Sequence, residues 1–348
     1  MTSTTTNYGW TVPTSSDLVK NGATAISTVG QSVDTFLFRP FTRNAVLNGS
    51  LNVWQRGTSF AYVGGQQYTA DRWFLGSGAL GRTVSRQTAS LTGFQYCARV
   101  QRDSANTNTS IIKLMQTFET VNSLPFAGQT ITFSFYARAG ANYSATSNGL
   151  LVNVRSGTGT DQNIDTGYTG SADVILQTAT LTTSWQRFTY TGSVASTATE
   201  IGFILQETPV GTAGAADYFE VTGVQLEVGS QATPYAPATP TYATELAACQ
   251  RYLPSVYLAS CIGYAYATNA AVYSANFPVP ARVNPTGMTL SGGTNTAYAL
   301  NTGYTVTPTF NSASVNMAQI LVSSGLTITA GQGSRLDAPT LLFTGCEL

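Results

Sequence analysis

The sequence of 348 residues contains no histidine. That removes the side chain that most often moves protons near neutral pH and most often holds metals, and with it much hydrolytic enzymology. Charge is scarce too: Asp, Glu, Lys and Arg make up 9% of the chain, against roughly a quarter in ordinary globular proteins. Sixteen basic and sixteen acidic residues cancel, and no cluster of Lys or Arg stands out, so the electrostatic footprint of nucleic-acid binding is missing. Cys97, Cys249, Cys261 and Cys346 are scattered without a CxxC pair, which speaks against zinc or a redox couple and for buried free thiols. No run approaches the ~20 apolar residues of a membrane span, and the N-terminus lacks a basic stretch followed by an apolar core. The expectation is a chain that does not insert into a membrane and is assembled in a cytoplasm.

Thr, Ser, Ala, Gly, Asn and Tyr fill the space that ions leave. This is the composition of all-β proteins whose outward faces rely on hydroxyls and amides. The organising stretch runs over residues 44–73, NAVLNGSLNVWQRGTSFAYVGGQQYTADRW. Val46, Leu47, Leu51, Val53, Trp54 and Trp73 carry too much apolar mass for a surface loop, and Asn48-Gly49, Gly57 and Gly64-Gly65 cut the stretch into strand-length pieces. It reads as the opening strands of a sandwich. YFEVTGVQLEVG, from Tyr218, alternates across a bulge expected at Gly223 and reads as the closing strand.

Ahead of this module, Val19, Gly22, Ile26, Val29, Val33 and Phe36 are spaced 3, 4, 3, 4, 3, and Thr14 to Asp17 resembles a capping box. A helix from about Ser16 to Leu37 follows, ended by Arg39-Pro40. Two uses fit: the seam of a coiled coil, or one amphipathic helix packed on its own domain. Between residues 43 and 237 strand signals recur at 94–101, 111–118, 130–138, 150–155, 174–181, 185–191 and 200–206, separated by Gly/Ser/Thr/Asn turns. In TITFSFYAR, Ile131, Phe133, Phe135 and Ala137 alternate with Thr130, Thr132, Ser134 and Tyr136, so one face is core and the other wet or ligand-facing. Short strands without interleaved helical periods predict a jelly-roll β-sandwich. Pro234, Pro237 and Pro240 mark a linker, residues 238–255, with one short helix from Thr241 to Tyr252. The remainder, 256–348, returns to β as a smaller C-terminal β-sandwich. The run 277–285 holds too many prolines for a central strand and belongs at an edge or an interface.

WQRGTSF, ADRW, TITFSFYARAG, SWQRFTYTG and GVQLEVGSQATPY occur in an order that resembles the carbohydrate-binding-module-like jelly rolls of bacteriophage tail-fibre and other virion proteins. ELAACQRYL is similar to the ELALCQRYY hinge that leads into a small C-terminal domain in such proteins, and residues 8–35 resemble their virion-attachment segment. The resemblance implies a structural virion protein, a tail fibre or similar appendage. Residues 1–42 would join other virion proteins, and residues 43–237 would hold host-surface glycan for adsorption. With the heptad spacing it implies a homotrimer seamed by Val19, Gly22, Ile26, Val29, Val33 and Phe36. Many such jelly rolls hold structural calcium. No acidic cluster here offers six or more oxygens, so no cofactor is assigned.

Hydrolysis asks for two carboxylates ~5 to 10 Å apart across a cleft. Asp161 with Asp165, and Glu200, Glu207, Asp217, Glu220 and Glu227, are the candidates. Asp161 and Asp165 sit where Asp commonly makes turns, and Glu220 and Glu227 read as solvated. A Ser-Lys mechanism has only Lys20 and Lys113. A non-catalytic chain is expected, with a polysaccharide depolymerase and a capsid decoration or adaptor protein as the rivals. Sugar binding asks for exposed aromatics among amides and hydroxyls. Tyr62, Tyr68, Tyr143 and Tyr168, in Gly/Ser/Asn loops, are the expected glycan contacts, and Tyr257, Tyr264, Tyr266 and Tyr273 form a second cluster. Trp54, Trp73 and Trp185 read as core, and Arg56 and Arg72 as internal partners.

Overall fold

The computed structural model describes residues 3–4, 11–12, 14, 18, 21–37, 44–290, 294–300 and 302–348. Strands β1 (Ser3–Thr4) and β2 (Thr11–Val12) pair with each other ahead of helix α1 (Gly22–Leu37). The helix expected near Ser16 is thus present from Gly22. Val19 and most of the expected first turn lie outside the described residues. Ile26 is exposed, while Gly22, Val29 and Val33 are half-buried. Phe36 belongs to the helix by its backbone.

Twelve strands follow: β3 (Ser59–Ala61), β4 (Gln67–Tyr68), β5 (Phe74–Ser77), β6 (Arg82–Leu91), β7 (Phe94–Arg102), β8 (Ile112–Thr117), β9 (Thr130–Ala139), β10 (Ala145–Gly157), β11 (Ala172–Thr180), β12 (Gln186–Ser193), β13 (Glu200–Pro209) and β14 (Tyr218–Val228). A single helical turn, α2 (Thr120–Ser123), joins β8 to β9. The strands form two six-stranded antiparallel sheets, β11-β10-β13-β8-β5-β4 and β12-β9-β14-β7-β6-β3, packed as a jelly-roll sandwich. β9 shows why: Ile131, Phe133, Phe135 and Ala137 are all fully buried in the shared core, where Phe133 meets Phe203 of the opposite sheet at 4.9 Å. Trp73 closes on the same Phe203 at 5.3 Å.

The opening stretch buries its apolar residues as expected but makes no regular strand before Ser59. Asparagine side chains take the place of a ladder. Asn48 donates to the carbonyls of Val53 and Asp71 and accepts from Val53 N, while Asn44 donates to Val224 and Ala236 carbonyls and accepts from Val46 and Leu226 N–H groups. Backbone groups buried away from water are satisfied this way. Gly49 is required here: a Cβ would stand 2.3 Å from the Val224 carbonyl oxygen. The bulge expected in β14 is observed, with a register shift between Thr222 and Gln225 and Gly223 at φ 60°.

Helix α3 (Tyr242–Gln250) opens on a reciprocal cap in which Thr241 and Thr244 each accept the other's backbone N–H. It leads to β15 (Ser255–Ala267), β16 (Ala270–Asn276), β17 (Gly287–Leu290), β18 (Thr296–Ala299), β19 (Thr302–Thr305), β20 (Thr309–Ala313), β21 (Met317–Val322) and β22 (Gly333–Thr344). These join in one antiparallel sheet of order β19-β18-β22-β15-β16-β21-β20, with β17 also on β22, and it carries its own core of Tyr273, Ile320, Leu336 and Phe343. The smaller C-terminal β unit expected from the sequence is present, its strands joined in one hydrogen-bonded sheet around its own core. The proline-rich run 277–285 forms no strand and lies at the junction of the two sheet units. There Arg282 donates to the carbonyls of Cys346 and Glu347.

The expected linker is packed, not free. Glu245 of α3 accepts from Asn48 N, and Arg251 and Tyr252 both donate to Glu119. Burial works against charge on Glu119, but the Arg251 and Tyr252 hydrogen bonds outweigh it and hold the carboxyl below its usual range. Glu347 then bridges Arg56 (3.0 Å) and Arg72 (2.7 Å), whose guanidinium lies 3.6 Å from the Tyr252 ring centre. Arg56 and Arg72 are internal partners, as expected.

Candidate functional site

The four loop tyrosines do not form an exposed site. Tyr62 is buried, and its hydroxyl lies 2.8 Å from the carbonyl oxygens of both Gly65 and Ser77, which share its single proton. Tyr68 is half-buried under Arg56 and bonded to the Leu348 main-chain oxygen, and burial pushes its hydroxyl well above the ordinary value. Tyr143 is buried edge-on to Phe219 and donates to Gly149 O. Tyr168 is buried with Phe74, Met115, Ile164 and Ile204. The correction has one physical cause. Loops rich in small polar residues fold back over the sandwich, and the few large rings they contain are the apolar mass that holds them down. In the C-terminal unit Tyr273 is buried against Ser334, whereas Tyr257, Tyr264 and Tyr266 are exposed beside Ile262 on β15.

The carboxylates are also placed differently from expectation. Glu220 and Glu227 are fully buried. Glu227 accepts from Gln225 and from Thr233, in the return segment that covers it. Asp165 pairs with Lys113 at 3.0 Å, and Asp161 with Arg282 at 3.4 Å. Thr120 links Asp161 to Glu200, donating its N–H to the first and its hydroxyl to the second. Burial raises the Glu200 carboxyl, yet no atom of Glu200 reaches the surface. Among the described residues no group of three or more His, Cys, Asp and Glu could hold a metal ion.

An array of charged and aromatic groups assembles instead on the outward face of the β12-β9-β14-β7-β6-β3 sheet. Arg99 of β7, Glu220 of β14 and Arg138 of β9 stand opposite one another in register. Arg99 donates from Nε (2.9 Å) and Nη2 (2.6 Å) to one oxygen of Glu220, and Arg138 from Nε (2.5 Å) to the other. Each guanidinium also meets an aromatic ring: Arg99 lies 3.9 Å from the Tyr218 centre and Arg138 5.0 Å from Trp185. Trp185 is half-buried, not core, and its indole N–H donates to Ala89 O at 2.7 Å. Beneath the array, burial first and the Glu220 charge second push the Cys97 thiol up to about 12, so this thiol stays protonated and inert. Further along the face Arg187 bonds Ser134 and Thr233, and Phe94 meets Tyr136 at 5.3 Å and Tyr235 at 5.0 Å.

The β9 face expected to be wet or ligand-facing is so only in part: Thr130 is exposed and Tyr136 half-buried, but Thr132 and Ser134 are fully buried, and the centre of the face was missed. The signal available was an outward Glu220 in the closing strand with two arginine-bearing strands to choose from. The register that selects Arg99 and Arg138 is a property of the fold.

No known family's sequence pattern matches the chain, and no curated protein matches it. Among solved structures, a CBM4 carbohydrate-binding module is similar over 52% of this chain and 98% of its own, at 24% identity and a TM-score of 0.33. The CBM22-1 xylan-binding domain of Paenibacillus barcinonensis Xyn10C is similar over 55% and 97%, at 11% identity and a TM-score of 0.33. The enzymatically active domain of bacteriophage CBA120 tailspike protein 4 is similar over 53% of this chain but 21% of its own, at 13% identity and a TM-score of 0.36. At these identities the likeness is one of fold alone.

Proposed function

We propose that this chain is a non-catalytic virion appendage protein, a tail fibre or the like, that holds host-surface glycan and works as a homotrimer. The observation that carries the glycan reading is the outward face built on Arg99, Glu220 and Arg138, where half-buried Tyr218 and Trp185 stand beside fixed guanidinium groups. Rings offer apolar area to a sugar face, and neighbouring N–H groups fix its hydroxyls. A single face of this size binds weakly, and repeated copies on a particle recover affinity by avidity. Against catalysis stand the carboxylates. Asp161, Asp165 and Glu220 are committed to basic partners and Glu200 is sealed, so none is a free acid–base pair facing a cleft. Residues 1–42 would join the chain to other virion proteins.

The test is adsorption of the purified full chain to host cells and to a glycan array, beside Trp185→Ala, with sizing of the glycan after incubation. Wild type should bind and leave the glycan uncut, and the variant, checked for intact folding, should bind about fivefold more weakly, from loss of ~1 kcal/mol of ring contact. Shortened glycan would favour the depolymerase. Absence of binding by any arrangement of the wild type would favour an adaptor.

A further inference from the structure

We infer that the sugar held on this face is anionic, with a carboxylate seated between Arg99 and Arg138; the inference rests on the glycan reading above. Neutralising Glu220 needs one guanidinium, and two are held there. Glu220 has both oxygens engaged, yet Nη1 of Arg99 and both Nη1 and Nη2 of Arg138 have no hydrogen-bond acceptor among the described residues. Both side chains remain about a quarter exposed, at 24% and 25%, so these donors are open to a ligand. The triad thus carries one surplus positive charge in a chain whose total is zero.

No other acid is among the nearest neighbours of the triad on these strands, which are Cys97 and Gln101 on β7, Tyr218 and Thr222 on β14, and Tyr136 on β9. The exposed Asp103, beyond the end of β7, accepts from Thr83, and Glu227 is buried and bonded to Gln225 and Thr233. Preorganisation adds to the case: each guanidinium is fixed by Glu220 on one side and a ring on another, so little side-chain freedom remains to be lost on binding. A planar fork of N–H donors matches the two charged oxygens of a carboxylate with two parallel hydrogen bonds, whereas a neutral sugar hydroxyl offers one uncharged oxygen that cannot take both in parallel.

The experiment uses the full chain and a panel that sets each carboxylated oligosaccharide, oligogalacturonate first, beside its carboxyl-reduced counterpart. Acidic forms should bind about tenfold or more tightly than their reduced counterparts, with affinity falling as salt is raised. Arg138→Gln should abolish most of that preference while leaving the weak binding of the reduced forms, and Arg138→Lys should keep the salt dependence with part of the affinity lost. Thermal unfolding of each variant separates misfolding from lost contact, and the wild-type comparison needs no variant. Equal binding of acidic and reduced forms, insensitive to salt, overturns the inference but leaves the glycan reading standing. Failure of every glycan, acidic or neutral, overturns both.

Discussion

Glu207 lies on β13, sealed between the two sheets, with neither carboxylate oxygen hydrogen-bonded among the described residues. Beside it Asp217 is bonded to Arg102 and Ser144. Arg102 and Arg82 together gather the carbonyls of Leu80, Asn106, Asn108, Ser110 and Gly211, tying three loops as a bound cation would. Burial first, then the charge of Asp217, raise the Glu207 carboxyl to about 8. A carboxyl raised in the folded state is a liability above its unfolded value: the unfolded chain ionises from about pH 4.5 while the folded chain resists until about pH 8. Stability is therefore full at acid pH and is lost as pH rises through that window. Glu207→Gln should match the wild type near pH 4 and exceed it by an amount on the order of a few kcal/mol at pH 8, read by thermal unfolding across pH. Parallel curves for the two proteins would show that burial does not shift the Glu207 carboxyl between the folded and unfolded states. The sequence offered Glu207 only as one of several candidate carboxylates; that it is buried beside Arg82 and Arg102, which come from distant strands, was not legible, because polar positions in strands read as solvated. The same blindness misplaced Glu220 and the four loop tyrosines, whereas Arg56 and Arg72 were legible from the aromatic residues beside them.

Strands announced by alternation were found close to where the pattern put them, β9 and β13 above all. β6 was not, since in RTVSRQTASL only Val84 joins the core among the apolar residues and Arg82 is buried beside it, so the period of two is written in unlike residues. The stretch 44–58 failed in the opposite sense. It has the apolar content of strands but uses Asn44 and Asn48 to satisfy its backbone, which a count of apolar residues does not detect. The bulge in β14 was legible because glycine there has a specific use. Gly223 holds φ 60°, and a Cβ would stand 2.6 Å from the Phe94 ring and 2.9 Å from the Tyr136 ring. Gly223→Ala should cost about 2–3 kcal/mol, combining backbone strain with displaced rings on the sheet that carries the binding face. Gly93→Ala, also at positive φ (89°) but with open space around it, should cost only the strain, about 1 kcal/mol. Equal losses in denaturant unfolding would mean that the rings yield freely.

At the scale of the molecule, the two sheet units are tied by α3, by Glu347 between Arg56 and Arg72, and by Arg282, so the C-terminal sheet has its own core but not its own freedom. Among the described residues two sites leave large apolar side chains exposed: α1, where Ile26 is 70% exposed, and β15, where Tyr257, Ile262, Tyr264 and Tyr266 stand 51–80% exposed. Scattered exposed apolar residues are ordinary, but Ile262, Tyr264 and Tyr266 alternate on one face of a single strand, a surface that water disfavours, at ~25 cal/mol for each Å². Arg335 and Asp337 pair with each other on the adjoining β22, so the sheet offers no net charge there to repel a copy of itself. Trimer formation that covers both sites should give the full chain three times its sequence mass in solution. Removing residues 1–40 should weaken that association without unfolding the sheets, and Ile262→Ser with Tyr264→Ser should weaken it again, each read by sedimentation over a concentration series. A full chain that stays monomeric at every concentration, in solution and on the particle, would leave the heptad spacing of α1 as the stripe of one amphipathic helix and remove avidity from the account of glycan binding.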